Sequence, residues 1–196
     1  MNHTLIIFTK NLVFGKVKTR LASSVGNDKA FEIYKLLITH THAITHQLSM
    51  NKIVFYSDEI EADDLWGNDY KKQLQVGNDL GERMLNAFEF SFQKSNGKAI
   101  IIGCDCPQLT TQIINHAFEQ LDNCDVIIGP AEDGGYYLLG MKKLHEQLFA
   151  NIEWSTNKVL TATIKRCNEN KLSYNLLPTL NDVDEENDLQ YMNTLL

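Results

Sequence analysis

With 196 residues, 43% of them hydrophobic, the chain is long enough for one sizeable core and short for two independent ones, so a single domain over 1–196 is expected. The net charge of −7 argues against a nucleic-acid partner, which needs an excess of Lys and Arg on one face. No apolar segment approaches the roughly 20 residues needed to cross a bilayer, so no membrane insertion is expected. The short apolar run near Met1 is no signal peptide, and Cys104, Cys106, Cys124 and Cys167 show no C-x-x-C spacing. These features predict a soluble protein of the reducing cytoplasm.

In chain order, apolar and β-branched runs at 5–8, 53–56, 99–102 and 126–128 read as strands, separated by longer segments of helical period. This alternation predicts an α/β fold, a mostly parallel central sheet covered by helices on both faces. The first strand feeds a loop, Lys10 to Leu21, that reads K-N-L-V-F-G-K-V-K-T-R-L. Residues 1–27 contain no acid, and Lys10, Lys16, Lys18 and Arg20 make this stretch a cationic insert in an acidic protein. The Gly15-Lys16 pair is not a P-loop, because Lys10 stands where glycine is needed and Val17 where Ser or Thr is needed. What remains is a flexible glycine among cations, each worth up to about 4 kcal/mol of attraction at ~4 Å from a phosphate, before desolvation.

A helix is expected after Asn27, with Asn27 as N-cap and Phe31, Tyr34, Leu37, Ile38, Thr41 and Leu48 on one face. His42 and His46 lie i, i+4 on it, and without the glutamate of H-E-x-x-H they read as packing or surface residues. The acidic run 58–64 after the second strand reads as a solvated loop. A second helix is predicted over 80–93, with Met84, Leu85, Phe88 and Phe92 on its apolar side. The third strand ends in G-C-D-C-P, which puts Asp105 just past the carboxyl end, where an open parallel sheet receives ligands. Asp105 there either turns the chain toward a helix near 110–121 or holds a divalent cation.

After the strand at 126–128 comes G-P-A-E-D-G-G-Y-Y-L-L-G, where Gly134 and Gly135 allow close backbone approach and Asp133 is presented on the turn. An ordinary β-turn into a strand would look the same. Trp154-Ser155-Thr156 offers either an aromatic plate to a ligand or a capped entry to a helix over 156–169. Finally, D-V-D-E-E-N-D-L at 182–189 precedes a helix expected over 186–195. Asp184 there could complete a cation site opened by Asp105 while its neighbours cap the helix.

Taken together, G-K-V-K-T-R-L at 15–21, N-D-L-G-E-R-M at 78–84, G-C-D-C-P-Q-L at 103–109, the 129–140 segment, W-S-T at 154–156 and D-V-D-E-E-N-D-L resemble the radical-SAM/selenodomain-associated transferases. That family is also described as arsenosugar-biosynthesis-type glycosyltransferases. The resemblance implies a three-layer GT-A, or nucleotide-diphospho-sugar transferase, fold, similar to sugar-nucleotidyltransferases and phospholactate guanylyltransferases. It implies that Asp105 takes the place of the metal-binding aspartate, that Asp184 closes the metal site, and that Lys18 and Arg20 meet phosphate. Leu12 stands where relatives usually have proline, and Glu185-Glu186 replace the usual Thr-Pro.

The sequence therefore predicts a Mg²⁺- or Mn²⁺-dependent glycosyltransferase that takes a nucleoside-diphosphate sugar and a small-molecule acceptor. Asp105 and Asp133 are the catalytic candidates, and Asp105 and Asp184 the metal ligands. Lys10, Gly15, Lys18 and Arg20 are assigned to phosphate, and Gly134, Gly135 and Trp154 to substrate. Two alternatives stay open: a nucleotidyltransferase joining a nucleoside triphosphate to a phosphorylated metabolite, and a non-catalytic nucleotide-binding regulator. The donor base, the acceptor and the oligomeric state are not legible.

Overall fold

The computed structural model describes residues 3–195. In chain order it contains β1 (Thr4–Thr9), α1 (Thr19–Val25), α2 (Asn27–Thr45), β2 (Asn51–Tyr56), β3 (Lys71–Leu74), α3 (Leu80–Lys94), β4 (Ala99–Ile102), α4 (Thr111–Gln120), β5 (Val126–Pro130), β6 (Tyr136–Met141), α5 (Val159–Glu169) and β7 (Tyr174–Leu176). Short 3-10 helices occupy Glu146–Leu148 and Glu186–Thr194.

The strands form one seven-stranded sheet in the order β3-β2-β1-β4-β6-β5-β7. Every pairing is parallel except the two made by β6, which runs antiparallel between β4 and β5. The period of two along each strand sends alternate residues to opposite faces. Leu5, Ile7, Ile100, Ile102 and Ile127 pack on one face with Tyr34 and Ile38 of α2 and Ile114 and Phe118 of α4. Ile6, Ile101, Val126 and Ile128 face the other way, against Met84 and Phe88 of α3 and Cys167 of α5. The result is a three-layer α/β sandwich, as the alternation of strand and helix patterns predicts. A third, smaller cluster joins Leu21 of α1 and Ala30, Ile33 and Leu37 of α2 to Val183 and Met192.

Several local expectations are corrected. Asn27 is the first residue of α2 and Gly26 holds the cap position, with no side-chain cap. Helix α5 begins at Val159 rather than at 156. The segment expected as a helix over 186–195 is 3-10 over Glu186–Thr194, closed by a capping box between Glu185 and Asp188. The helix predicted over 80–93 is α3, whose first turn is held by Asp79 accepting from the Glu82 N–H at 2.9 Å. All four cysteines are free and buried. Among the described residues no helix is long and apolar enough to cross a membrane.

Candidate active site at the carboxyl ends of the strands

A parallel sheet gathers the loops that follow its strands at one edge, and here those loops enclose a cavity of about 440 Å³. Its wall includes Lys10, Lys18, Thr19 and Arg20 from the segment after β1, Ser57 after β2 and Gln75 after β3. Arg83 of α3, Gly103 and Asp105 after β4, and Asp184 complete it.

The first loop is anchored at both ends. The Lys10 N–H donates to the Tyr34 hydroxyl at 2.8 Å, and Val17 is buried immediately before Lys18. Asn11 is also buried, and its amide donates to the Glu59 carbonyl and the Glu61 carboxylate, each at 2.8 Å. The acidic run after β2 is thus stapled to the first loop. Within that run Asp64 accepts from the Tyr56 hydroxyl and pairs with Lys72 at 2.7 Å.

Lys18 is the hub. Its backbone lies in the left-handed region, at φ 45°, which disfavours a residue with a Cβ. Its side chain is only 7% exposed, and its ammonium lies 2.9 Å from Asp184 Oδ1 and 3.3 Å from Asp105 Oδ2. Arg20 reaches the other Asp184 oxygen at 3.8 Å. Burial alone disfavours the Lys18 ammonium, but the charges of Asp105 and Asp184 and the hydrogen bond to Asp184 outweigh it and hold its pKa above the ordinary lysine value. Burial likewise works against an ionised Asp184, yet Lys18 and then Arg20 bring its pKa below the usual carboxylate value.

Asp184 is delivered by the segment after β7, which is tied to the β4 loop. The Val183 N–H donates to the Asp105 carbonyl at 2.9 Å, and the Asn181 N–H to Gln108 Oε1 at 2.9 Å. Asp182 on the same segment has a buried Oδ1 without a hydrogen-bond partner. Burial first, then the neighbouring charges of Asp105, Asp133 and Asp184 against the opposing Lys18, raise its pKa well above the usual carboxylate range.

Asp133, on the turn after β5, is not in the cavity wall, although its charge acts on Asp182. Asp133 is exposed, and its Oδ1 accepts from the Gly135 N–H at 2.8 Å, which makes the turn self-supporting. Gly134 and Gly135, expected at the substrate, are not in the cavity wall. Gly134, at φ +88°, packs where a Cβ would lie 2.2 Å from the Asn157 carbonyl oxygen, and its own carbonyl accepts from the Leu160 N–H. Gly15 takes φ +76° in open space, also away from the cavity wall. Trp154 sits on Gly81 of α3, where a Cβ would meet its indole nitrogen at 2.2 Å, and stacks on Phe149. These contacts make Gly134 and Trp154 packing residues in this conformation.

Arg83 lines the cavity, although the sequence reading takes N-D-L-G-E-R-M only as a shared motif at the start of a helix and gives Arg83 no role. Its Nε donates to the Gly77 carbonyl at 3.2 Å, and no partner is present among the described residues for its terminal nitrogens. The available signal is an arginine in the first turn of a helix, where a cation opposes the dipole and needs another reason to be there. Asp182 is equally missed: of the four acids in D-V-D-E-E the sequence reading picks Asp184 for the cation site, and nothing in the pattern marks Asp182 as the buried one. His42 and His46 stack on each other, with His42 against Trp66 and Tyr70.

Among the described residues no group of three or more His, Cys, Asp and Glu side chains forms a ready metal cage. Two hard carboxylates converging on one cation nevertheless fit the donor set of Mg²⁺ or Mn²⁺, which is completed by waters and substrate phosphates. The Lys18 ammonium shows that this position attracts positive charge.

The family model described as "Uncharacterized protein conserved in bacteria (DUF2064)" matches residues 40–156. The chain belongs to this family. Within DUF2064 terms, the match takes in Arg83, Asp105 and Asp133 but stops short of Asp184. No curated protein matches the sequence. A proposed nucleotide-diphospho-sugar transferase of Desulfovibrio desulfuricans G20 is similar in structure, with a TM-score of 0.91 and 31% identity over 98% of this chain and 87% of that one. A CMP:2-keto-3-deoxy-manno-octonic acid synthetase complexed with CTP gives a TM-score of 0.58 at 10% identity, covering 100% of this chain and 98% of that one. Rv0371C of Mycobacterium tuberculosis H37Rv, in complex with manganese, gives 0.57 at 11% identity, covering 97% of each chain. This DUF2064 chain thus has the fold of the nucleotide-diphospho-sugar transferases.

Proposed function

We propose that the protein is a divalent-cation-dependent transferase that uses a nucleoside-diphosphate sugar and passes the sugar to a hydroxyl of a small-molecule acceptor. The observation that carries this reading is the single cavity in which Lys10, Lys18, Arg20 and Arg83 meet Asp105 and Asp184. Cations in a partly shielded cleft suit a diphosphate, and paired carboxylates suit the metal that accompanies it. The D. desulfuricans relative and the manganese-bound neighbour point the same way.

In this reading Asp105 and Asp184 hold Mg²⁺ or Mn²⁺, which when bound neutralises charge on the diphosphate. Lys18, Arg20 and Arg83 orient the diphosphate and stabilise the charge it gains as the sugar–phosphate bond breaks. Asp133 accepts a hydrogen bond or the proton from the acceptor hydroxyl. No Lys or Arg lies between Gly129 and Gly140, so this side offers no counter-charge to a phosphorylated co-substrate.

The test is a panel of nucleosides, nucleoside di- and triphosphates and sugar nucleotides, screened for thermal stabilisation with and without Mn²⁺. Binding is then followed by product analysis. Metal-dependent release of nucleoside diphosphate from at least one sugar nucleotide is expected, and its loss in Asp105→Asn with the fold intact. Pyrophosphate release from a nucleoside triphosphate with a phosphorylated acceptor, and no cleavage of any sugar nucleotide, overturns it in favour of nucleotidyl transfer.

A further inference from the structure

The two carboxylates that suit a divalent cation already share a cation of the protein's own. The Lys18 ammonium bridges Asp105 and Asp184 at hydrogen-bond distance, in a side chain almost wholly shielded from water. It is held there by a backbone in the left-handed region, between buried Val17 and a helix whose Leu21 is fully buried. An ammonium nitrogen at 2.9–3.3 Å and a divalent ion at about 2.0–2.1 Å from its oxygens cannot occupy the same gap. The charges would also repel.

We infer that Lys18 is a resident counter-ion that keeps the Asp105–Asp184 pair closed to a divalent cation until a nucleotide diphosphate arrives to receive the ammonium. The inference rests on the proposed transferase reading and adds an order of binding to it. The cavity makes the exchange local, because Lys10, Arg20 and Arg83 line the same wall and draw the phosphates to within reach of the Lys18 side chain. Once Lys18 pairs with phosphate, Asp105 and Asp184 are left with like charges facing each other, and the divalent ion enters to compensate. Metal without nucleotide has to displace an ammonium hydrogen-bonded to both carboxylates. By linkage, nucleotide and metal then raise each other's affinity.

The experiment measures Mn²⁺ binding alone, by electron paramagnetic resonance of the free ion, to the full chain and to Lys18→Met. Lys18→Gln is the second variant, should the methionine protein fail to fold. Circular dichroism and thermal melts establish the fold in each. The parent is expected to bind Mn²⁺ alone weakly, and the uncharged variants at least tenfold more tightly. Lys18→Arg, which keeps the charge, should remain weak, and adding Asp105→Asn to Lys18→Met should abolish the gain. Parallel melts of the parent with Mn²⁺ and each of ADP, CDP, GDP and UDP separate the two readings. Stabilisation by Mn²⁺ with a diphosphate, together with no gain of Mn²⁺ affinity in the folded uncharged variants, overturns the counter-ion role and leaves the transferase reading standing. No stabilisation of the parent by any diphosphate with Mn²⁺ overturns both.

Discussion

Gly134 and Gly135 look interchangeable in the sequence, yet the structure gives them opposite tolerances. An alanine Cβ at Gly134 would lie 2.2 Å from the Asn157 carbonyl oxygen and 2.7 Å from its Cα, both backbone atoms that no rotamer change can move. The residue also holds φ +88°, a conformation that costs an L-residue about 1–2 kcal/mol. Overpacking against backbone adds about 1–3 kcal/mol, so Gly134→Ala is expected to destabilise by about 2–5 kcal/mol. With an unfolding entropy of about 2.1 cal/mol/K per residue over the 196 residues, each kcal/mol corresponds to about 2–3 °C. The melting temperature should therefore fall by about 5–12 °C. At Gly135 the nearest atom to a built Cβ is the Asp133 carboxylate oxygen at 3.1 Å, on an exposed side chain, and φ is not in the left-handed region. Gly135→Ala should stay within about 1 kcal/mol of the parent. Differential scanning calorimetry of both variants decides the matter. Equal melting temperatures for Gly134→Ala and the parent would refute the packing role and return Gly134 to the list of ligand contacts.

Three further outcomes are expected. Arg83→Ala should weaken a nucleoside diphosphate by about 10- to 100-fold, the worth of a lost charged hydrogen bond of roughly 1.5–3 kcal/mol, while the bare nucleoside is unaffected in calorimetric titration. Arg20→Ala, whose side chain is 68% exposed, should show the same preference for the diphosphate at less than tenfold, because solvent screens it. Hydrogen bonds from Ser173 lead the causes that hold the Asp125 carboxyl below its ordinary value. A carboxylate with a depressed folded pKa stabilises above its unfolded value, near 3.8, and loses that contribution as pH falls through the folded value. The gap in melting temperature between the parent and Asp125→Asn should hold steady from pH 7 to 5 and close below about pH 3.8, and a gap that is unchanged at pH 3 contradicts the assignment.

Strands β1, β2, β4 and β5 were legible because each is an apolar run bounded by turn residues, as a strand buried on both faces requires, whereas β6, which lies between β4 and β5, showed only as the strand that an ordinary turn at 133–135 would enter. Lys71-Lys72-Gln73-Leu74 carries no such signature, since β3 is an edge strand defined by its pairing with β2 rather than by its own pattern. The three residues of β7 are hidden for the same reason. Helix α1 escapes because Leu21 is its one buried residue, too few to mark a period. Within the site, Asp105 could be singled out as a charge just beyond an apolar run and Asp184 as an acid ahead of a capped turn, whereas Lys18 stood out from Lys10 and Lys16 only through the family resemblance. Arg83, Gly134 and Trp154 could not be placed, because their roles depend on what faces them: a cavity, the Asn157 backbone and Gly81, respectively.

The small cluster of Leu21, Ala30, Ile33 and Leu37 with Val183 and Met192 lies apart from the two cores that flank the sheet. Lys18 precedes the helix that supplies Leu21, and Asp184 follows Val183, so one apolar patch grips both ends of the ion pair. Such a patch defines a cooperative opening unit of its own. Amide exchange over α1 and residues 183–192 should rise and fall together, and faster than in β1 or β4. The ion pair would then be lost and remade as that patch breathes, while the sheet and Asp105 stay in place.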